Sequence, residues 1–408
     1  MKTLQQLFSH LRLATHSMFH VWCQEFHLTL KDIGVVIFFF VVPLLYPLLY
    51  SYIYSEEVVR EVPVLVVDES RTSLSREYLR KLDATPDADI RAYCANMDEA
   101  KEMLRERKAY GILYIPRDFS RQLHRGEAST VTLFCDMSGL LYYKALMISN
   151  TEVSLSLNKD IKINRIGHST EREEELAAYP ISYANVPLFN HAGGFASFVL
   201  PGVLILILQQ TLILGIGLSA GTTREHNRFH QLIPQHRHYQ LTFPIVLGKA
   251  LCYLLIYAAV ASYVLGMVPY IFSLNQIGNP PTLVLFVLPY LLACIFFAIT
   301  CTIVIRNRET VMLIFVFSSV PLLFLSGISW PGSAIPDFWR YFSYLFPSTF
   351  GINGYVKIHN MGAELQQVRT EYTALWIQAV VYFLSACLVY RRQIEMSRRN
   401  SKVIEKAN

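Results

Sequence analysis

Charge is what this sequence has least of. Charged residues fill 16% of its 408 positions and hydrophobic ones 53%, a balance too apolar for an ordinary soluble enzyme. From Ala250 to Ile305 there is no Asp, Glu, Lys or Arg. Nucleotide chemistry is missing too. A phosphate-binding loop needs Gly-x-x-x-x-Gly-Lys-Ser/Thr, and Gly248-Lys249-Ala250 lacks both the first glycine and the hydroxyl. No Gly-x-Ser-x-Gly or His-Glu-x-x-His element occurs, so hydrolase chemistry of those kinds is not expected. The apolar runs hold almost no carboxylates, which argues against a proton- or ion-driven carrier and favours an apolar or amphipathic cargo.

What is present is six apolar runs in a lopsided order. One stands alone at 33–54, a polar block of about 140 residues follows, and five more lie at 195–219, 244–269, 283–305, 311–328 and 372–390. About 20 apolar residues span a bilayer, because in lipid every backbone group must bond within its own helix. The charge-free stretch is broken at Asn275-Gln276-Ile277-Gly278-Asn279-Pro280-Pro281, a run of turn formers. The expected fold class is an α-helical polytopic membrane protein, with six transmembrane helices in a one-plus-five layout and an inserted extracytoplasmic α/β domain.

Basic residues set the orientation. Lys2, Arg12 and Lys31 precede span one; Arg224, Arg228 and Arg237 follow span two; Arg306 and Arg308 follow span four; Arg391, Arg392, Arg398, Arg399, Lys402 and Lys406 follow span six. The turn at 275–281 has none. Alternate loops are thus basic, as cytoplasmic termini and six spans in the inner membrane require. The net charge of +5 collects on that face and needs no nucleic-acid partner. Polar residues fill the first thirty positions and span one is long enough to stay, so no cleaved signal is expected.

The polar segments divide as follows. Residues 1–32 place Leu4, Leu7, Phe8, Leu11, Met18, Phe19, Trp22, Phe26 and Leu30 at helical spacing, an amphipathic helix suited to lie on the inner membrane surface and touch lipid; packing on the other spans is the alternative. Residues 55–194 form the extracytoplasmic block. Strands are expected at 62–67, 89–93, 110–115 and 130–134. Helices fall between them, and a long one runs over 138–163, so the sheet should be largely parallel. Asp68, Glu69 and Asp136 fall at strand ends, where α/β proteins bind ligands, although caps and turns use the same residues. Cys94 and Cys135 end two strands and are a candidate disulfide in an oxidising compartment; two free thiols is the alternative. The remaining cysteines read as small apolar side chains. Residues 195–390 hold the five-helix bundle, with a cytoplasmic loop at 221–243 and an external re-entrant segment at 329–371. Residues 391–408 are a basic cytoplasmic tail.

Polar residues within the spans include Gln209, Gln210 and Thr211, which are candidate cargo contacts or simply join helices. His226 and His230 stand four apart, with His236 and His238 beyond. No cysteine or second carboxylate completes a zinc set, so no metal is expected. A contact surface with pH-sensitive charge fits these histidines better.

Two segments carry a family resemblance. Arg224-Glu225-His226-Asn227-Arg228-Phe229-His230-Gln231-Leu232-Ile233-Pro234, followed by Gly248-Lys249, resembles the coupling segment of ABC-2 type transporter permeases, and the external block after span one looks like that of their multidrug and small-molecule export subgroup. Phe324-Leu-Ser326-Gly327-Ile-Ser-Trp330-Pro331, then Ile335-Pro336, Phe338-Trp339 and Phe346-Pro347, is similar to that family's segment after span five. The family often has Gly-Thr where Asn227-Arg228 stand here. The resemblance implies a short helix at 224–234 that docks on an ATPase through Arg224, Glu225, Phe229, Leu232 and Pro234. It also implies an outer gate built around Ser326, Gly327, Pro331, Pro336 and Pro347. Further implications are ATP and Mg held by a separate ABC ATPase subunit, and a second permease chain, identical or paralogous. A periplasmic adaptor is a further expected partner. A membrane-anchored sensor or scaffold with an extracytoplasmic ligand-binding domain is the alternative from a different class.

Overall fold

The structure, a computed structural model, describes residues 2–166, 170, 172–173, 186–191, 193–229 and 242–407. It divides into two compact units, Val58–Val186 and the remainder of the chain, Met1–Glu57 with Pro187–Asn408.

The smaller unit contains β1 (Val62–Asp68), α2 (Ser73–Asp83), β2 (Ala88–Tyr93), α3 (Met97–Arg105), β3 (Gly111–Ile115), α4 (Phe119–Arg125), β4 (Thr132–Cys135) and α5 (Leu140–Ile166). The strands form one sheet in the order β2-β1-β3-β4. β1 pairs in parallel with β2 and β3, whereas β4 runs antiparallel to β3, with Ile112 opposite Phe134. Val62, Val64 and Val66 pack with Tyr78 and Leu82 of α2 and Leu146 and Val153 of α5. On the other face Leu65, Val67 and Ile112 meet Ala100 of α3. Burial on both faces explains why β1 reads as a continuous apolar run. The helices are locally specified. Thr72 and Ser75 make a reciprocal capping box at α2, and Asn96 caps α3 through the Glu99 amide. Gly126 ends α4 in the left-handed region.

Cys94 and Cys135 are both free thiols, which corrects the candidate disulfide. They end strands on opposite edges of the sheet, three strand spacings or about 14 Å apart, far beyond the reach of a bridge. Burial pushes the Cys135 thiol up to about 11. Burial, with Glu99 nearby, also raises Cys94. Both therefore stay protonated and unreactive at neutral pH.

The larger unit opens with α1 (Lys2–Lys31). Among the described residues its six long apolar helices are span one Ile33–Ile53, span two Phe195–Glu225, span three Phe243–Ile271, span four Pro280–Cys301, span five Arg308–Leu325 and span six Arg369–Asn400. Each overlaps one of the apolar runs seen in the sequence, although spans one, four and five end one, four and three residues before the run does. Two shorter helices, α6 (Asp337–Ser343) and α7 (Pro347–Met361), lie between spans five and six. Span two is the hub: 89% of its most apolar window is buried, against 11% for span five. Spans four and five and α7 all pack along it, and span four and α7 contribute Tyr290, Phe286, Ile352 and Tyr355 to one apolar cluster.

Candidate functional site

The end of the bundle that carries Arg224 and Arg308 is tied together by charge. Span two does not stop before Arg224; the helix includes Arg224 and Glu225 in its last turn. This corrects the expectation of a separate helix beginning at 224. The stop comes at Asn227, whose φ of 50° lies in the left-handed region. The Asn227 and Arg228 amides donate back to the Arg224 and Thr223 carbonyls at 2.9 and 2.8 Å, the pattern of a Schellman cap. Asparagine is among the few non-glycine residues that adopt that conformation, which accounts for its presence where the resembling family often has Gly.

From this cap, the Arg224 guanidinium donates to the Ile305 carbonyl at 2.6 Å. Glu225 accepts the Arg308 backbone N–H at 2.9 Å. Asn307, the residue before span five, supplies no side-chain cap, so Glu225 places a negative charge on an orphan donor at the start of that helix. Arg308 in turn grips both oxygens of Asp32 at 2.8 and 3.0 Å, and Asp32 caps the first turn of span one through the Gly34 and Val35 amides. Burial opposes the charge on Asp32, but Arg308 and the two amides outweigh it and hold its carboxyl below the usual range. A lowered folded-state pKa contributes stability above the unfolded value, lost as pH falls through the folded one. Wild type should therefore melt higher than Asp32→Asn at neutral pH, and the gap should close below about pH 4. A gap of constant size down to pH 3 would contradict this.

A second charge pair is fully buried. Val21, Glu25 and Thr29 form the inward stripe of α1, and Glu25 meets Lys249 of span three at 2.6 Å, with both side chains at most 3% exposed. The Tyr253 hydroxyl donates to Glu25, as does Ser219 of span two at 3.2 Å, while Lys249 lies over the Tyr390 ring of span six. Close approach makes this contact: a Cβ on Gly248 would stand 2.6 Å from the Met18 carbonyl oxygen. Sequence reasoning missed Glu25, because it sits in a polar position between apolar residues. The available signal was Lys249, a cation six residues inside an otherwise charge-free span, which requires a buried counter-charge. A cleft of about 710 Å³ opens beside these pairs, lined by Lys31, Asp32, Thr222, Arg228 and Arg308 among others.

The expected coupling residues therefore divide. Arg224 and Glu225 are brought together with Arg308. Phe229 is 3% exposed and stands edge-on to Tyr390, so it anchors the chain inward and offers no surface for docking. Leu232 and Pro234 lie outside the described residues, as do His230, His236 and His238. Among the described residues no group of three metal-ligating side chains occurs.

At the other end, the residues after span five turn back into the bundle. Ser326 closes span five and is buried. Gly327, at φ 87°, breaks the helix with a conformation that a side chain would strain. Pro331 precedes a single 3-10 turn, Pro336 precedes α6, and Pro347 is the first residue of α7. Ser348, next in α7, donates its N–H to Gln209 Oε1 at 2.7 Å and accepts from Gln209 Nε2 at 3.1 Å. Gln209 lies about 21 Å along span two from Phe195. At the opposite end of α7, Asn360 donates to the Ser197 carbonyl at 3.1 Å, and the Ile277 and Gly278 amides donate to His359 O. Helix α7 thus runs antiparallel to span two, with its N-terminus deep in the bundle. At 15 residues it is about 22 Å long, too short to cross a hydrocarbon core of about 30 Å. Gln209 and Gln210 are spent on helix joining, the latter with Ser318 at 3.4 Å. Thr211 bonds the Ile207 carbonyl at 2.7 Å. All three are buried, so none presents a free polar group to a cargo.

Six long apolar helices among the described residues, with a buried hub and a short helix entering from one end, define a multi-pass membrane protein. A family model described as ABC-2 family transporter protein matches residues 33–388, and the chain belongs to that family. It is 23% identical over 327 residues to the linearmycin resistance permease protein LnrN of Bacillus subtilis strain 168, a match covering 76% of this chain and 82% of the relative.

Proposed function

We propose that this chain forms the transmembrane pathway of an ATP-driven exporter of apolar or amphipathic small molecules, worked by a separate ATPase subunit that holds ATP and Mg. The observation that carries the reading is the junction at Arg224, Glu225, Arg308 and Asp32. A push on the end of span two is delivered at once to spans one and five. Arg224 and Glu225 act as positioning residues that transmit the push. The exposed Glu225 and Arg228, with Leu232 and Pro234 beyond, face the ATPase. The alternating basic loops support cytoplasmic termini and an extracytoplasmic α/β unit. The outward apolar side of span five, with Leu313, Val316, Phe317 and Val320 exposed, suits a second permease chain. The segment 326–361 serves as the outer gate, with Ser326, Gly327, Pro331, Pro336 and Pro347 setting its turns. Helix α5 suits a periplasmic adaptor, and exposed Phe19 and Leu30 of α1 suit lipid. A relative named as a resistance permease fits export.

Inside-out vesicles containing the chain and its ATPase should accumulate an amphipathic dye when given ATP, and a protonophore should leave the rate unchanged. Uptake that needs a proton gradient and ignores ATP would overturn the reading.

A further inference from the structure

The α/β unit contains a cleft that the proposed transport reading leaves unassigned. A cleft of about 800 Å³ opens at the carboxyl ends of β1 and β2, the edge where parallel α/β sheets bind their ligands. Arg71, Arg76 and Arg80 all line it, together with Asp68, Ser73 and Tyr93. Three guanidinium groups around one cleft repel one another unless something neutralises them. Asp68, which lines the same cleft, sets one negative charge against three positive ones. None of the three forms an ion pair among the described residues. The side chains of Arg71 and Arg80 make no hydrogen bond there, and Arg76 uses only Nε, on the Thr72 carbonyl at 3.2 Å.

The neighbouring carboxylates are committed elsewhere. Asp68 Oδ1 accepts from the Ser70 and Arg71 amides, and its Oδ2 from Ser75 Oγ. Asp83 takes the Ile90 amide, Glu77 lies near Lys81 and Glu99 takes the Ala95 amide. Asp68 thus serves the loop: its turn sets the left-handed backbone of Arg71, φ 50°, and fixes that residue at the cleft. Arg76 and Arg80 stand one helical turn apart, about 6 Å along α2. Guanidinium pairs phosphate and carboxylate in two-pronged fashion, and the exposed Tyr93 ring adds a flat wall and a hydroxyl.

We propose that this cleft binds a small molecule carrying two or more phosphate or carboxylate groups, free in solution or as a lipid headgroup. The inference stands on the α/β unit alone and does not depend on export.

Pyrophosphate and citrate are the probes, titrated by calorimetry at low salt into the full chain in neutral detergent. Wild type should bind at least one, more weakly as salt rises. Arg76→Ala/Arg80→Ala should bind about tenfold or more weakly with an unchanged melting temperature, and Arg71→Gln, outside the helix, should weaken binding in the same direction. Arg76→Lys/Arg80→Lys should keep part of the affinity. No binding of either probe at millimolar concentration, or equal affinity in the alanine variant, overturns the proposal. Repeating the titration in nanodiscs of phosphatidylcholine and of phosphatidylglycerol separates the sources. Competition confined to phosphatidylglycerol discs assigns the site to a headgroup; equal binding in both assigns it to a soluble anion.

Discussion

Replacing Lys249 by methionine should lower the unfolding free energy of the detergent-solubilised protein by about 3–5 kcal/mol, the cost of leaving a buried partner charge uncompensated. The argument rests on geometry. Glu25 lies 2.6 Å from Lys249, and both are sealed from solvent between α1 and span three. Without the ammonium, Glu25 retains only the hydroxyls of Tyr253 and Ser219. The double variant Glu25→Leu/Lys249→Met removes both charges and keeps the volume, so most of the loss should return. Denaturant or thermal unfolding of the two single variants and the double variant measures the coupling. A double variant as unstable as the two losses added would show that the pair does not act as a unit.

Glu225→Ala should have a larger effect on transport than on folding. Its carboxylate caps the start of span five from the last turn of span two, and loss of one cap costs about 1 kcal/mol. In the proposed mechanism the same contact is where motion of span two reaches span five, so ATP-dependent transport should fall about tenfold or more, within the usual range of coupling energies. Glu225→Asp, a methylene shorter, should fall between. Equal transport by Glu225→Ala and wild type, at equal amounts of folded protein, would remove the residue from the transmission path.

The spans were legible because their signal is length without charge, and no tertiary contact is needed to read it. The strands of the α/β unit fall within two residues of their sequence positions and the long helix within three, while Thr72, Asn96 and Gly126 specify the short helix boundaries locally. β4 is different. Its antiparallel pairing with β3 depends on how the α4 loop returns, which no periodicity encodes. Cys94 and Cys135 show the same limit, since strand ends say nothing of strand order. The deeper miss was electrostatic. Lys249 was visible as a motif letter, but its meaning lies in Glu25, 224 residues away, and only the packing of α1 on span three joins them. Gln209 likewise read as a cargo candidate, because the helix it serves is brought to it by a turn at Gly327 and Pro347.

The most direct test is to tag this chain, purify it in mild detergent and identify what accompanies it. Recovery of an ABC ATPase in stoichiometric amount, lost when Glu225 is changed to Arg while the permease stays folded, is the result predicted. Folded chain recovered alone, across detergents that preserve its melting temperature, would contradict the coupling account.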